Sequence, residues 1–371
     1  MLQKKLHAIQ LIIYVLAIAA LIYSAVDMAV TSVDDGDFRA FYYAASVIID
    51  NQVLNNQIYD YETMAQIYPR YGMERMPLYF IYSMVAAYLI SPIGLLPFET
   101  AKIIWNLLNL AAYLFAIVIL LRLSGAAGFR FHFLFLLSIL WMPFLDNLIF
   151  IQVNGFILLF VVIGVYLASQ NHPLIGGVML STAVLFKLWP LAIVLVLGLK
   201  NHRILVSFAI TFVLAMLIPG AIEWFTAIHK GLIRHYSYTY QLLFQLGTIY
   251  PITYFLAVSG ITAAAAYYFK TKGGGYGLLI SLAVTAMFLV MPVVEYHHLT
   301  MLIIPYIYLL AAPYRNNPLK YAASSLSLIL TSFPFFNGMT FLSTVGLIIL
   351  WFVILYTLVE KDNLLEARQI T

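Results

Sequence analysis

Apolar stretches of about 20 residues recur along the whole chain, and that is the length an α-helix needs to cross the roughly 30 Å hydrocarbon core of a bilayer. The runs cover 8–30, 77–97, 100–122, 129–148, 150–168 and 173–199, then 203–222, 252–269, 276–294, 297–312, 318–336 and 340–358. Of 371 residues, 64% are apolar and 9% are charged, whereas water-soluble domains carry about 25% charged residues. A lipid solvent leaves the backbone only helices or closed barrels, and these runs have helical length. The expectation is an all-α polytopic transmembrane bundle of about 10–12 spans. Several runs hold proline (Pro190, Pro292, Pro305, Pro334), and no shift of composition marks a soluble domain. A single integral-membrane domain over 1–371 follows.

The first run, 8–30, exceeds the core of about 7–15 residues typical of a signal peptide, and no small-residue cleavage site follows it. It is expected to stay as a first span. The net charge of +4 is spread over the connections and forms no basic face for nucleic acid. With no cysteine, disulfides, thiolate metal sites and cysteine nucleophiles are excluded.

Loop cations orient such a chain, since Lys and Arg stay on the cytoplasmic side. Lys4 and Lys5, Lys200 and Arg203, Lys270 and Lys272, and Arg315 and Lys320 mark inside loops. Two long connections then lie outside. The first, 31–76, is acidic, with Asp34, Asp35, Asp37, Asp50, Asp60, Glu62 and Glu74 against Arg39, Arg70 and Arg75. The second, 223–250, holds His229, Lys230, Arg234 and His235. The turn at Glu295-Tyr296-His297-His298 falls on the same side. The same parity places Gln152-Val153-Asn154 inside and Arg122 and Arg130 outside, so either a span near 129–199 is re-entrant or the cation bias fails locally.

Within the first external loop, Phe38, Phe41, Tyr42 and Ala45 share the i, i+3, i+4, i+7 spacing of an amphipathic helix. Asp37 stands at its N-cap. One reading is a plain cap on an interfacial helix. The other is a carboxylate at the lipid–water boundary acting as general base. Asp35-Gly36-Asp37 also has a spacing able to hold a divalent cation beside a phosphate, although three aspartates in an acidic loop also arise without one. His297 and His298 at a span boundary suit phosphate neutralisation or simple headgroup wetting. Lys187 lies deep in its run beside Pro190, where a cation must pair, snorkel or line a cavity opened by a broken helix. Gln152 and Asn154, near Asp146 and Asn147, are either helix–helix hydrogen-bonding groups or cavity groups.

Taken in order, these segments resemble the polyprenol-phosphate-mannose-dependent α-1,2-mannosyltransferase-like proteins, glycosyltransferase family 87 of the membrane GT-C class. Asp37-Phe38-Arg39-Ala40-Phe41-Tyr42-Tyr43-Ala44-Ala45 is similar to the family's Asp-Phe-x-x-Tyr-Tyr-x-Ala element. Pro77, Ser91-Pro92, Leu96-Pro97-Phe98 and Ala101-Lys102-Ile103-Ile104-Trp105 resemble its second and third spans. Gln152-Val153-Asn154 resembles a Gln-x-Asn element, Lys187-Leu188-Trp189-Pro190 a Lys-x-x-Pro element, and Pro292 with His297-His298 a late Pro…His element. The chain departs from the pattern at Arg75-Met76-Pro77, at Glu295-Tyr296 and at His235-Tyr236-Ser237, in segments tied to sugar and acceptor.

The resemblance implies a GT-C-like bundle with interfacial helices in its first external loop. It implies an inverting transfer of a sugar, mannose by family likeness, from a polyprenyl-phosphate donor to a hydroxyl of a glycolipid or glycan. Asp37 is the implied catalytic base. His297, His298, Lys187, Gln152, Asn154, Arg39 and Tyr42 are the implied donor and substrate groups. No cofactor, metal or nucleic acid is implied; the partners are the lipid-linked donor, the acceptor and membrane lipid. The implied location is the cytoplasmic membrane with the site on its external face. Two rival classes share a multi-spanning chain: a lipid-linked glycan transporter or flippase, built around broken helices, and a surface-polysaccharide polymerase or ligase using a pyrophosphate-linked donor.

Overall fold

The computed structural model describes residues 2–31, 36–50, 54–232, 238–271, 275–311, 318–332 and 341–369. Among them every regular element is helical, so the all-α bundle is observed. Helix α1 (Leu2–Thr31) leads to α2 (Gly36–Ile49), α3 (Tyr61–Ile67) and α4 (Met84–Ile90), the last continued by a 3-10 turn at Ser91–Leu95. Then come α5 (Phe98–Leu123), α6 (Phe129–Ile139), α7 (Met142–Ile149), α8 (Asn154–Ser169), α9 (Pro173–Phe186), α10 (Leu191–Lys200) and α11 (His202–Met216). Helices α12 (Ala221–Leu232) and α13 (Tyr238–Leu246) precede α14 (Ile249–Thr271) and α15 (Tyr276–Val290). A 3-10 segment, Tyr296–Leu302, runs into α16 (Ile303–Ala311), followed by α17 (Pro318–Ser332) and α18 (Phe341–Gln369).

Five segments are long and apolar enough to cross a bilayer by themselves: 12–31, 98–123, 129–149, 249–271 and 341–360. The pair 202–216 and 221–228, bent by 99°, is apolar enough in sum for a broken span or a re-entrant loop. Shorter apolar helices fill the spaces between them. Proline sets many of the ends, because it lacks the amide that an interior helix position must donate. Pro143 and Pro173 open α7 and α9, and Pro190 closes the gap between α9 and α10. Helices α8 and α9 approach closely where Gly164 faces Gly176: a Cβ on either would overlap the other's carbonyl. Backbone contact through small residues is how helices associate when both sides are already in oil.

Contacts along the first helices correct the topology expected for 77–97. Residues 84–95 make one short helical unit of 12 residues, about 18 Å at 1.5 Å per residue, well short of a crossing. The unit packs on α2 instead, so tightly that a Cβ on Gly94 would overlap the backbone of Ala45, and Tyr42 Oη donates to the Leu96 carbonyl at 2.7 Å. Helix α5 then runs antiparallel to α1. Asn106, near its start, donates to the Ala25 and Leu148 carbonyls. At the other level Tyr14 of α1 packs edge-on against Phe135 of α6.

Helices α6 and α7 therefore run back alongside α1 and end level with its far end. Arg122 and Arg130 fall at the end where α1 begins, with Lys4 and Lys5, and Gln152–Asn154 fall at the opposite end. The cation bias is restored without a re-entrant segment. Helix α2 itself is enclosed by protein. Phe38, Phe41, Tyr42 and Ala45 are all buried, and so are Tyr43, Ala44 and Val47 on its other faces.

Candidate active site

Six of the eight residues singled out in the sequence meet at the end of the bundle reached by α2, α7 and α9. Asp37 enters from α2, Gln152 and Asn154 from the turn before α8, Lys187 from the α9–α10 break, and His297 and His298 from the 3-10 segment before α16.

The break at Lys187 follows from its sequence. The Lys187 amide still bonds Ala183, its backbone then becomes extended (φ −145°, ψ 135°), and Pro190 supplies no amide to continue the helix. The side chain turns inward. Lys187 Nζ lies 3.2 Å from Gln152 Oε1, 3.3 Å from Asn154 Oδ1 and 3.0 Å from His298 Nε2. The Tyr82 ring is 5.8 Å beneath it.

The Phe150–Val153 turn is strained where it presents these amides. Ile151 has φ +50° and is fully buried, and a β-branched residue rarely adopts that conformation outside a site that over-determines it. The over-determination comes from two buried asparagines. Asn109 Nδ2 donates to the Gln152 carbonyl at 2.6 Å, and its Oδ1 accepts from the Gly155 amide at 2.9 Å. Asn147 Oδ1 accepts from the Asn154 amide at 3.0 Å. Asn154 Nδ2 in turn donates to the His297 carbonyl at 3.2 Å, tying the turn to the histidine segment. Gly155 is required by this clamp, since a Cβ there would overlap the side-chain and backbone oxygens of Asn109.

Asp37 lies within the first turn of α2 rather than before it. Burial pushes the pKa of its carboxylate up, and Glu295 adds to the rise, while His297, Lys187 and the Gln152 amide oppose it. A raised carboxylate is the property expected of a general base working near neutral pH.

His297 is buried between two carboxylates, with Nδ1 3.7 Å from Asp146 Oδ2 and Nε2 3.0 Å from Glu295 Oε2. Its ring meets that of His298 edge-on, at 4.6 Å. For Glu295, burial would raise the pKa, but the His297 ring 3.0 Å away and its positive charge outweigh that and hold the group well below the usual range. Both histidines of the 3-10 turn are buried in the same pocket. The backbone amide of Glu295 donates to His298 Nδ1 at 3.1 Å.

Among the described residues, Glu295, His297 and His298 bring one ligand-type atom each within 4.8 Å of one another. They suit a metal poorly. His298 Nδ1 already accepts from a backbone amide, so its Nε2 carries the hydrogen and lacks the lone pair a cation needs. Asp35, the other half of the Asp-x-Asp pair, lies outside the described residues, as do the side chains of His229, Lys230, Arg234 and His235.

Arg39 and Tyr42 are placed differently. Arg39 stands two residues beyond Asp37, which puts it on the other side of α2. Tyr42 packs against Phe38 and edge-on to Phe98, besides bonding the Leu96 carbonyl, and so anchors α2 to the start of α5. Three groups join the site without having been singled out: Glu295, Asp146 and Tyr82, whose hydroxyl lies 3.5 Å from Gln152 Oε1. The spacing of Glu295 from His298 was visible, and so was Asp146 ahead of the polar turn. Nothing in the sequence marked Tyr82 among the many tyrosines.

Fold and site together define a multi-pass membrane protein with an acid–base and cation pocket where several helices end. The profile of glycosyltransferase family 87 matches residues 80–329, about two thirds of the chain, so the chain belongs to glycosyltransferase family 87. It is an enzyme, a glycosyltransferase. The matched stretch holds Gln152, Asn154, Lys187, His297 and His298 and leaves Asp37 ahead of it. No curated protein and no solved structure matches the chain.

Proposed function

We propose that the enzyme transfers a sugar, mannose as the first candidate, from a polyprenyl-phosphate donor to a hydroxyl of a glycolipid or glycan on the external face of the cytoplasmic membrane. The observation that carries this reading is the convergence of Asp37 with Lys187 and His297 in one pocket. A proton acceptor on one side and cations on the other are what an inverting transfer from a phosphate requires. The acceptor hydroxyl gives its proton to Asp37 as its oxygen bonds the anomeric carbon. The bond from that carbon to the phosphate oxygen breaks, and polyprenyl phosphate leaves with the electron pair. His297, held by Asp146 and Glu295, and Lys187 stabilise the charge gathering on the leaving phosphate.

The external placement is supported by charge. Lys4, Lys5, Arg122, Arg130, Lys200 and Lys270 belong to connections away from the pocket, and positive loops stay cytoplasmic. A lipid-linked donor also suits a pocket set among helix ends, within reach of the bilayer.

The test is transfer from labelled polyprenyl-phosphate mannose to a membrane glycolipid extract by purified protein. Wild type, Asp37→Asn and His297→Ala run side by side, and a pyrophosphate-linked oligosaccharide serves as alternative donor. Transfer from the monophosphate donor that collapses in folded Asp37→Asn supports the reading. Undiminished transfer in that variant removes Asp37 as the base, and use of the pyrophosphate donor alone favours a polymerase or ligase.

A further inference from the structure

Lys187, Gln152, Asn154 and His298 make a set of hydrogen bonds whose donors and acceptors balance in only one way. The Glu295 amide donates to His298 Nδ1 at 3.1 Å, so that nitrogen is an acceptor. A protonated imidazole has donors at both nitrogens and is excluded here; the neutral ring must carry its hydrogen on Nε2. That Nε2–H has Lys187 Nζ at 3.0 Å and Glu295 Oε2 at 3.8 Å. Only the first is within hydrogen-bond distance. An ammonium at Lys187 has three donors and no acceptor, so it would set N–H against N–H at 3.0 Å.

A neutral amine has two donors and one lone pair. Its two N–H bonds match Gln152 Oε1 at 3.2 Å and Asn154 Oδ1 at 3.3 Å, and its lone pair matches the N–H of His298. Both amide oxygens are fixed in that role. Asn154 Nδ2 is committed to the His297 carbonyl, and the amide nitrogen of Gln152 faces Asp37.

From this geometry we propose that Lys187 rests as a neutral amine in the donor-free enzyme and takes up one proton from solvent when the phosphate of the donor enters. The inference rests on the reading of the pocket as a phosphate-donor site. The balance is simple. The amine gains a proton and becomes an ammonium, keeping its bonds to Gln152 and Asn154. Its third N–H turns to the phosphate oxygen. His298 keeps its proton, and its Nε2–H turns from Lys187 toward Glu295 Oε2, 3.8 Å away before the change. Other titratable groups facing Lys187 are Asp37 from α2, Tyr82 from the segment before α4, and Glu295, His297 and His298 from the turn before α16. Two carboxylates among them favour the ammonium, but His297 between Asp146 and Glu295 already supplies a cation. An arriving anion tips the balance.

The probe is a short-chain prenyl methyl phosphodiester, whose single ionised oxygen does not titrate near neutral pH. Its binding to the detergent-purified full chain is followed by calorimetry in buffers of different ionisation enthalpy. The expected result is uptake of about one proton per probe bound, retained in Asp37→Asn and lost in Lys187→Arg. In wild type alone, affinity should weaken about tenfold for each unit that the pH rises, which reads the same linkage even if Lys187→Arg fails to fold. Binding without proton uptake overturns the proposal while leaving the donor-site reading intact. Uptake that persists in folded Lys187→Arg overturns it too. A wild type that does not bind the probe overturns the donor-site reading and the proposal with it.

Discussion

Replacing Asn109 by alanine removes the clamp that holds the strained turn, and its size can be worked from the two bonds lost. Asn109 is fully buried, and it satisfies the Gln152 carbonyl and the Gly155 amide at 2.6 and 2.9 Å. Without it both backbone groups are stranded away from water, at about 1–3 kcal/mol each, or about 2–6 kcal/mol together. Against this stands the strain at Ile151, about 1–3 kcal/mol for a residue in a sparsely populated backbone region. The clamp exceeds the strain while both bonds are made, and not once they are gone. Asn109→Ala is therefore expected to lower the unfolding free energy by about 1–3 kcal/mol, the stranded groups less the strain released as the turn relaxes. Gln152 and Asn154 would then move away from Lys187, so transfer per folded molecule should fall as well. Denaturant titration in detergent measures the first quantity, and transfer normalised to folded protein the second. A loss below about 0.5 kcal/mol with full transfer would refute the argument that this side chain imposes the turn.

Asp37→Asn should reduce transfer by about 10²–10⁴-fold while leaving the protein at least as stable at neutral pH. The folded state raises the pKa of Asp37, so the fold favours its protonated form, and keeping it ionised lowers stability as pH rises through the folded value; thermal unfolding checks this. For the same reason the acid limb of the wild-type rate should lie above the ordinary aspartate value of 3.8, as a pH profile of kcat/KM would show. Glu295 is shifted the other way, so it stabilises the fold above its unfolded pKa and ceases to as pH falls toward its depressed folded value. Glu295→Gln should thus lose stability at neutral pH, with the gap to wild type narrowing in acid unfolding measured from about pH 4.5 downward. Gly155→Ala should cost about 1–3 kcal/mol by overpacking against Asn109, seen as a lower unfolding midpoint.

The bundle was legible because lipid burial writes itself as runs of apolar residues, and the pocket was legible because polar groups within such runs stand out. Asp37, Gln152, Asn154, Lys187, His297 and His298 could each be seen as exceptions to their surroundings. Residues 77–97 show the limit of that logic. An apolar run records burial, not crossing, and residues 84–95 pack on α2 with Ala86, Ala87, Ile90 and Ile93 buried. With that run left out of the crossings, Arg122 and Arg130 share the end of the bundle where α1 begins, and Gln152 lies at the other. The clamp was illegible for a different reason: Asn106 and Asn109 are plain polar residues within a long helix, and only the fold reveals which carbonyls they meet. Tyr42 was named on the family likeness, and only the fold shows its ring against Phe98 and its hydroxyl on the Leu96 carbonyl.

The family match and the pocket divide the chain in an informative way. Residues 80–329 carry the groups that face the phosphate in the proposed reaction, whereas Asp37 comes from the segment ahead of them. Helix α2 is nonetheless fixed to the matched part at several levels. Phe41 packs on Trp105 and Tyr82, Phe38 and Tyr42 pack on Phe98, and the backbone of Ala45 meets Gly94. The short 84–95 unit is therefore more than a span that failed to cross. By staying at the pocket end of the bundle it forms the seat that holds α2 in register with the α8 turn, and so sets where the carboxylate of Asp37 lies relative to Gln152. A general base must be held to within a fraction of an ångström of its hydroxyl to be worth its factor in rate. Its placement here rests on aromatic packing between two elements distant in sequence, and damage to that seat should appear as lost turnover before it appears as lost donor binding.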